Sequence, residues 1–356
     1  MLCSNGLLAQ VDTGLHINNL QKIIGFRIDK GNVVIHTDAV KNITGAQPFG
    51  VSVELSKQQI SQQDFNKSSA YARHGWRFSY WDFGTPILGS GVVLDYFLQP
   101  VYKINNRLQF NIRGSIGAAY LSSPYNTATH TDNQNYSQHI TPYMHIGAGL
   151  GYRVSKHTSV ELATNFNHSS NGNLSQPNKG INWTTTALSV LYNPDDNSLP
   201  TYHRVKNRYW QHQPPSFDVG LFYTPPQDYY AKWQRKRNYV LGITAQVSKQ
   251  VGRTNALLFG GEAYYNSITA DANTTFANNK SALLAGLFIG HEFLLNRIIF
   301  SQGFGYYITP HPAYNSNGFI RVGLRYKVDK HWQIGFNLKA HADESDFPDL
   351  RILYRF

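Results

Sequence analysis

The chain has 356 residues, 41% of them hydrophobic and 14% aromatic with only 15% charged, a balance that excludes an intrinsically disordered polyelectrolyte. No stretch approaches the run of about 18 apolar residues that a membrane-spanning helix needs; the longest, 282–290, has the length of a strand. The excess of 32 Lys and Arg over 21 Asp and Glu favours an anionic partner (nucleic acid, phosphate groups or an anionic lipid surface), and the lone Cys3 excludes an internal disulfide or a cysteine metal cluster.

The opening MLCSNGLLAQ has a short apolar piece and a small residue near a cleavage-like position, without a basic n-region. Residues 1–20 therefore read as a residual leader or periplasmic segment, and 21–356 as a single barrel. The stretch 34–55 has strand-like texture and adds up to two strands to those that follow. Period-two alternation then predicts strands at 72–82, 90–101, 107–120, 143–153, 158–170 and 182–192. In one of them Leu108, Phe110, Ile112 and Ile116 alternate with Arg107, Gln109, Asn111, Arg113 and Ser115. After a long connection at 194–215, further strands are predicted at 216–224, 239–248, 256–265, 282–293, 297–308, 318–328, 332–341 and 350–356.

Turns alternate between short (103–106, 155–157, 248–253, 329–330) and long (122–139, 266–280, 309–317), the pattern of a membrane barrel with short periplasmic turns and long outer loops. Aromatics at strand ends supply an interfacial girdle. The last strand carries Leu350, Ile352, Tyr354 and Phe356 at alternate positions, an ending that resembles the assembly signal of bacterial outer-membrane barrels. The expected fold is all-β, a transmembrane antiparallel β-barrel of about 14 strands, in a range of about 12 to 16.

One segment departs from barrel texture: Asn165-Phe166-Asn167-His168-Ser169-Ser170-Asn171-Gly172, then Gln176-Pro177-Asn178-Lys179-Gly180-Ile181-Asn182. On the strand before it, Val160, Leu162 and Phe166 share the outward phase, and His168 and Ser170 continue it. On the returning strand Leu188, Val190 and Tyr192 are outward, which places Asn182 on the same face. A serine becomes a nucleophile when an imidazole takes its proton and a third group holds that imidazole. Ser170, His168 and Asn182 suit these roles, and Asn171, Gly172 or Asn178 suit oxyanion donation. The bland alternative is a polar girdle where the strand leaves the membrane.

The H-x-S-N-G core with P-N-x-G-I resembles the PagL-type lipid A 3-O-deacylases, the acyloxyacyl hydrolase family. The resemblance implies an outer-membrane serine esterase that removes an ester-linked acyl chain from lipid A. Ser170 would be nucleophile, His168 base, and Asn171 and Asn178 oxyanion residues. The family's third residue is a Glu directly after G-I. Here it is Asn182, whose neutral amide stabilises an imidazolium less than a carboxylate does. The segment also resembles outer-membrane phospholipase A, with its F-N-H-x-S-N-G motif, closing Asn and calcium-assisted dimer. The rival from another class is a non-catalytic porin or adhesin.

The deacylase reading requires no cofactor, and calcium enters only with the phospholipase. Its partners are lipid A or lipopolysaccharide, the outer membrane with the site facing the outer leaflet, and the barrel assembly machinery through Phe356, with no nucleic acid. The run Lys232-Trp233-Gln234-Arg235-Lys236-Arg237 offers a phosphate-binding loop through Lys232, Arg235, Lys236 and Arg237. Gly147, Gly149 and Gly151 share one inward face and read as barrel packing rather than a dinucleotide loop. The 14 His are scattered without metal-ligand spacing, and Asp195 and Asp196 fall at the wrong end of their strand to serve a triad.

Overall fold

A computed structural model of the chain describes residues 20–196, 198–203, 208–231, 234–267, 282–309, 317–341 and 344–356. It holds two closed antiparallel barrels of eight strands each. The first is built from β1 (Leu20–Val33), β2 (Phe49–Gln59), β3 (Tyr71–Asp82), β4 (Ser90–Lys103), β5 (Leu108–Leu121), β6 (Ile140–Arg153), β7 (Thr158–Ser169) and β8 (Ile181–Tyr192). It closes where β1 pairs with β8, Phe26 opposite Val190. The second comprises β9 (Ser216–Tyr223), β12 (Val240–Gln250), β13 (Asn255–Asn266), β14 (Leu283–Leu295), β15 (Ile298–Tyr307), β16 (Gly318–Lys327), β17 (Trp332–His341) and β18 (Glu344–Arg355), with β9 joining β12 to β18. Between β9 and β12 stands a ribbon of β10 (Gln227–Ala231) and β11 (Gln234–Asn238).

The single barrel expected over 21–356 is thereby corrected to two, although each of the strands predicted from 72 onward is present. The physical reason is strand number. The two extra strands lie at 20–33 and 49–59; only the second overlaps the expected stretch 34–55, in which Asp38–Ile43 forms a short 3-10 helix. With β1 in place the first half has an even number of strands and closes on itself. The connection at 193–215 then serves as a linker between barrels; its prolines Pro194, Pro200, Pro214 and Pro215 cannot donate to a ladder. Residues 1–19, on which most of the leader reading falls, lie outside the described residues.

Outward positions are apolar on both barrels, from Ile24, Phe26 and Ile28 on β1 to Leu350 and Ile352 on β18. Strands of up to 14 residues exceed the length of about 9 to 11 needed to cross a bilayer. Inward positions fill both lumens. In the first barrel Arg27 pairs with Asp29 at 2.7 Å, Arg77 with Asp95 at 3.0 Å, and Glu54 with Arg73 at 3.3 Å and with Arg113. In the second, Asp218 accepts from Arg325 and Arg355, and Glu262 pairs with Lys339. Buried charges are tolerated because each has an opposite partner and further hydrogen bonds. The glycines 147, 149 and 151 face this interior: a Cβ at Gly147 would lie 2.3 Å from Asn165 Oδ1.

An apolar plug closes the first barrel at the end reached by β7. Val40, Ile43, Trp81, Phe83, Leu88, Tyr136, Tyr143, Ile181 and Trp183 are all buried in it. Trp183 is wholly buried, edge-on to Trp81 (centroids 5.5 Å) and Phe83 (5.3 Å). The opposite end is stoppered by the linker, where Tyr202 Oη donates to Ile60 O (3.0 Å) and Lys103 Nζ to Leu199 O (2.7 Å). Trp183→Ala should therefore lower the unfolding free energy by about 3 to 5 kcal/mol. Urea unfolding followed by tryptophan fluorescence and gel mobility reads this directly, and a shift under about 1 kcal/mol would contradict the plug's role.

Candidate active site

β7 delivers His168 to the outer face because Asn167 and Ser169 on either side of it point inward. Asn167 is held from within: Tyr143 Oη donates to its Oδ1 at 2.6 Å, and its Nδ2 donates to Trp183 O at 3.3 Å. Ser169 shares a hydrogen bond of 2.6 Å with Thr141. β8 returns beside it with His168 directly opposite Asn182, while Ile181 and Trp183 enter the plug. The outward residues are thus fixed by their inward neighbours. The loop 170–180 between the strands turns at Gly172 (φ 64°) and Gly180 (φ 77°), conformations that L side chains rarely adopt. A Cβ at Gly180 would also press to 3.1 Å from both His168 Cε1 and Ser170 Cβ.

Four side chains form one hydrogen-bonded line. His36 Nε2 lies 2.8 Å from Lys179 O and its Nδ1 3.4 Å from Val34 O; the shorter contact assigns the ring's proton to Nε2 and leaves Nδ1 as an acceptor. Asn182 Nδ2 donates to that Nδ1 at 3.1 Å, which turns Asn182 Oδ1 toward His168. His168 Nδ1–H donates to Asn182 Oδ1 at 2.5 Å. Its Nε2 lone pair is left for Ser170, whose Oγ–H donates across 2.9 Å. The tautomers follow from the closer of the two carbonyls at the His36 ring. His168 and Asn182 are only partly exposed, with Met144 paired beside His168 on the outer face.

Two family models match the chain, and His168, Ser170 and Asn182 fall within the first of them. The model described as "Lipid A 3-O-deacylase (PagL)" matches residues 50–190, and "Acyloxyacyl hydrolase, C-terminal domain" matches 216–356. Together they take in most of the chain and divide it where the two barrels divide. The chain belongs to the PagL lipid A 3-O-deacylase and acyloxyacyl hydrolase family. No curated protein matches it. Among solved structures, the outer membrane enzyme PagL is 19% identical, covering 46% of this chain and 97% of its own, at a TM-score of 0.33. Neisserial surface protein A is 8% identical, covering 49% of this chain and 96% of its own, at 0.31. The translocator domain of the autotransporter NalP from Neisseria meningitidis is 10% identical, covering 96% and 90%, at 0.24.

As a member of the PagL family the chain is an outer-membrane β-barrel hydrolase. Its loop places the three expected oxyanion residues differently from one another. Asn171 is buried, its N–H donating to Asn178 Oδ1 (3.0 Å) and its Nδ2 to Ser175 O (2.8 Å), so it clasps the loop instead of offering donors. The Asn178 amide thus keeps its Nδ2 hydrogens as donors while its Oδ1 is occupied. Gly172 N–H makes no hydrogen bond among the described residues.

His36 had no signal in the sequence: it lies 146 positions from Asn182, in the segment that follows β1, and only barrel closure brings them together. Asp195 and Asp196 sit at the far end of β8, where Asp196 accepts from Arg153 at 3.4 Å. Of the basic run, Lys232 lies outside the described residues, and Arg235, Lys236 and Arg237 are on β11, of which only the backbone is described.

Proposed function

We propose that this family member cleaves an ester-linked acyl chain of lipid A, the 3-O chain that the family description names, with Ser170 as the nucleophile. The observation that carries the proposal is the line from Ser170 through His168 to Asn182 on the lipid-facing side of the first barrel. Ser170 Oγ attacks the ester carbonyl as His168 Nε2 takes its proton, and Asn182 steadies the imidazolium through Nδ1–H. The carbonyl oxygen, now negative, receives hydrogen bonds from Gly172 N–H and the Asn178 amide. Collapse expels the sugar hydroxyl, which leaves with the proton held by His168. Water, deprotonated by the same imidazole, then attacks the acyl-serine and releases the fatty acid. His36 is a positioning residue that keeps the amide of Asn182 the right way round.

In this reading no metal takes part, the site faces the outer leaflet, and Arg235, Lys236 and Arg237 with Lys232 meet lipid A phosphates. The aromatic C-terminus at Phe356 serves recognition by the barrel assembly machinery. The amide at position 182 also suits a phospholipase, which would release lysophospholipid and require calcium.

A fluorophosphonate probe tests the nucleophile without assuming a substrate. Peptide mapping of the refolded protein should find the label on Ser170, with labelling lost in His168→Ala. Label on another serine, or equal labelling in both proteins, would remove the proposal.

A further inference from the structure

On the outer wall of the second barrel lies a groove of about 820 Å³, lined by apolar side chains that include Leu221, Tyr223, Ile334, Phe336, Leu350 and Ile352. The register makes the groove two adjoining cross-strand rows, with Tyr223, Leu350 and Phe336 in one and Leu221, Ile352 and Ile334 in the other. The next position on the same face of β18 is Pro348, paired with Leu338. Pro348 is buried although it sits on the outer face. What covers it is the loop of the first barrel: a Cβ at Gly172 would meet Pro348 Cγ at 3.3 Å. β9 pairs with β18 only from Leu350 onward, so the strand carries Pro348 where no β9 ladder partner is needed. At their other ends the barrels touch again, Arg253 Nη1 donating to Asn66 O at 2.6 Å.

We propose that this groove holds the acyl chain of the ester cut at Ser170, so that the second barrel is the acyl-binding wall of a site whose chemistry resides on the first. The inference rests on the serine-esterase reading. The groove begins one row below Pro348, which touches the loop of Gly172 two residues after Ser170, and it runs along the membrane-facing side with side chains suited to methylenes. On a membrane-facing wall the preference for long chains rests on close packing of successive methylenes against these side chains.

The test uses the full chain refolded in detergent, with Leu350→Trp and Ile352→Trp to fill the groove and Leu257→Trp, on the outer face of β13, as control. The ratio of kcat/KM for p-nitrophenyl palmitate over butyrate should fall on the order of tenfold in the first two and stay at the wild-type value in the control. In parallel, Ser170→Ala protein is irradiated with a diazirine-bearing palmitoyl ester, and the cross-links should concentrate on β17 and β18. An unchanged ratio, or cross-links spread evenly round both barrels, would overturn the groove. If the esters are not cut, or are cut equally by Ser170→Ala, the esterase reading fails. The cross-linking map still decides the groove in that case.

Discussion

Ser170→Ala should reduce acyl release by on the order of a thousandfold or more while leaving the barrel folded. The hydroxyl sits beyond the end of β7, partly exposed, and hydrogen-bonds to His168 Nε2 at 2.9 Å. Removing it costs little packing, since the strand is held by Asn167 and Ser169 from inside. In the proposed mechanism it takes away the atom that forms the covalent intermediate, so no other group in the line substitutes for it. His168→Ala should lose a similar factor, and the double variant little more, because residues acting as one unit are non-additive. Release of fatty acid in detergent, with heat-modified gel mobility as the folding control, measures all three. Activity within about tenfold of wild type in folded Ser170→Ala would end the nucleophile assignment.

The second large effect concerns the amide that stands where the family carries a glutamate. Asn182→Ala should lower activity by on the order of a hundredfold to ten-thousandfold, since His168 then loses the partner that sets its tautomer. His36→Ala should cost about tenfold, by allowing the Asn182 amide to turn its nitrogen to His168. A carboxylate has no wrong way round. In Asn182→Asp, either oxygen accepts from His168 Nδ1–H, so removal of His36 from that background should change activity by less than about twofold. The contrast between the two backgrounds is the readout that a merely structural loop residue would not produce. An equal loss in both would make His36 a support for the segment after β1 and nothing more.

Much of this was legible in the alternation of side chains. Leu162 and Phe166 fix the phase of β7, Leu188 and Val190 that of β8, and parity alone puts His168, Ser170 and Asn182 on one face. That holds because period two is rigid: a side chain cannot change sides without a bulge. Closure was not legible, because it depends on which distant strands pair. The decisive strand, β1, carries Lys22 and Lys30 among its outward residues and Ile23 inward, which blurs its alternation, whereas the stretch from Val34 reads as strand and in fact leads into the plug, with Ile35 packed against it. The four prolines of 193–215 were the available clue to the division. His36 and Pro348 reach the site from far along the chain, and no local pattern marks either. Asn171 was legible as a loop residue, yet its buried clasp on Asn178 and Ser175 appears only once the loop's path is known.

The most direct measurement is mass spectrometry of purified lipid A after incubation with the refolded full-length chain, wild type beside Ser170→Ala, each with and without EDTA. The account predicts loss of one hydroxyacyl chain with the wild-type protein, none with Ser170→Ala, and no effect of EDTA. Intact lipid A after incubation with folded wild-type protein, or equal loss with Ser170→Ala, would contradict it.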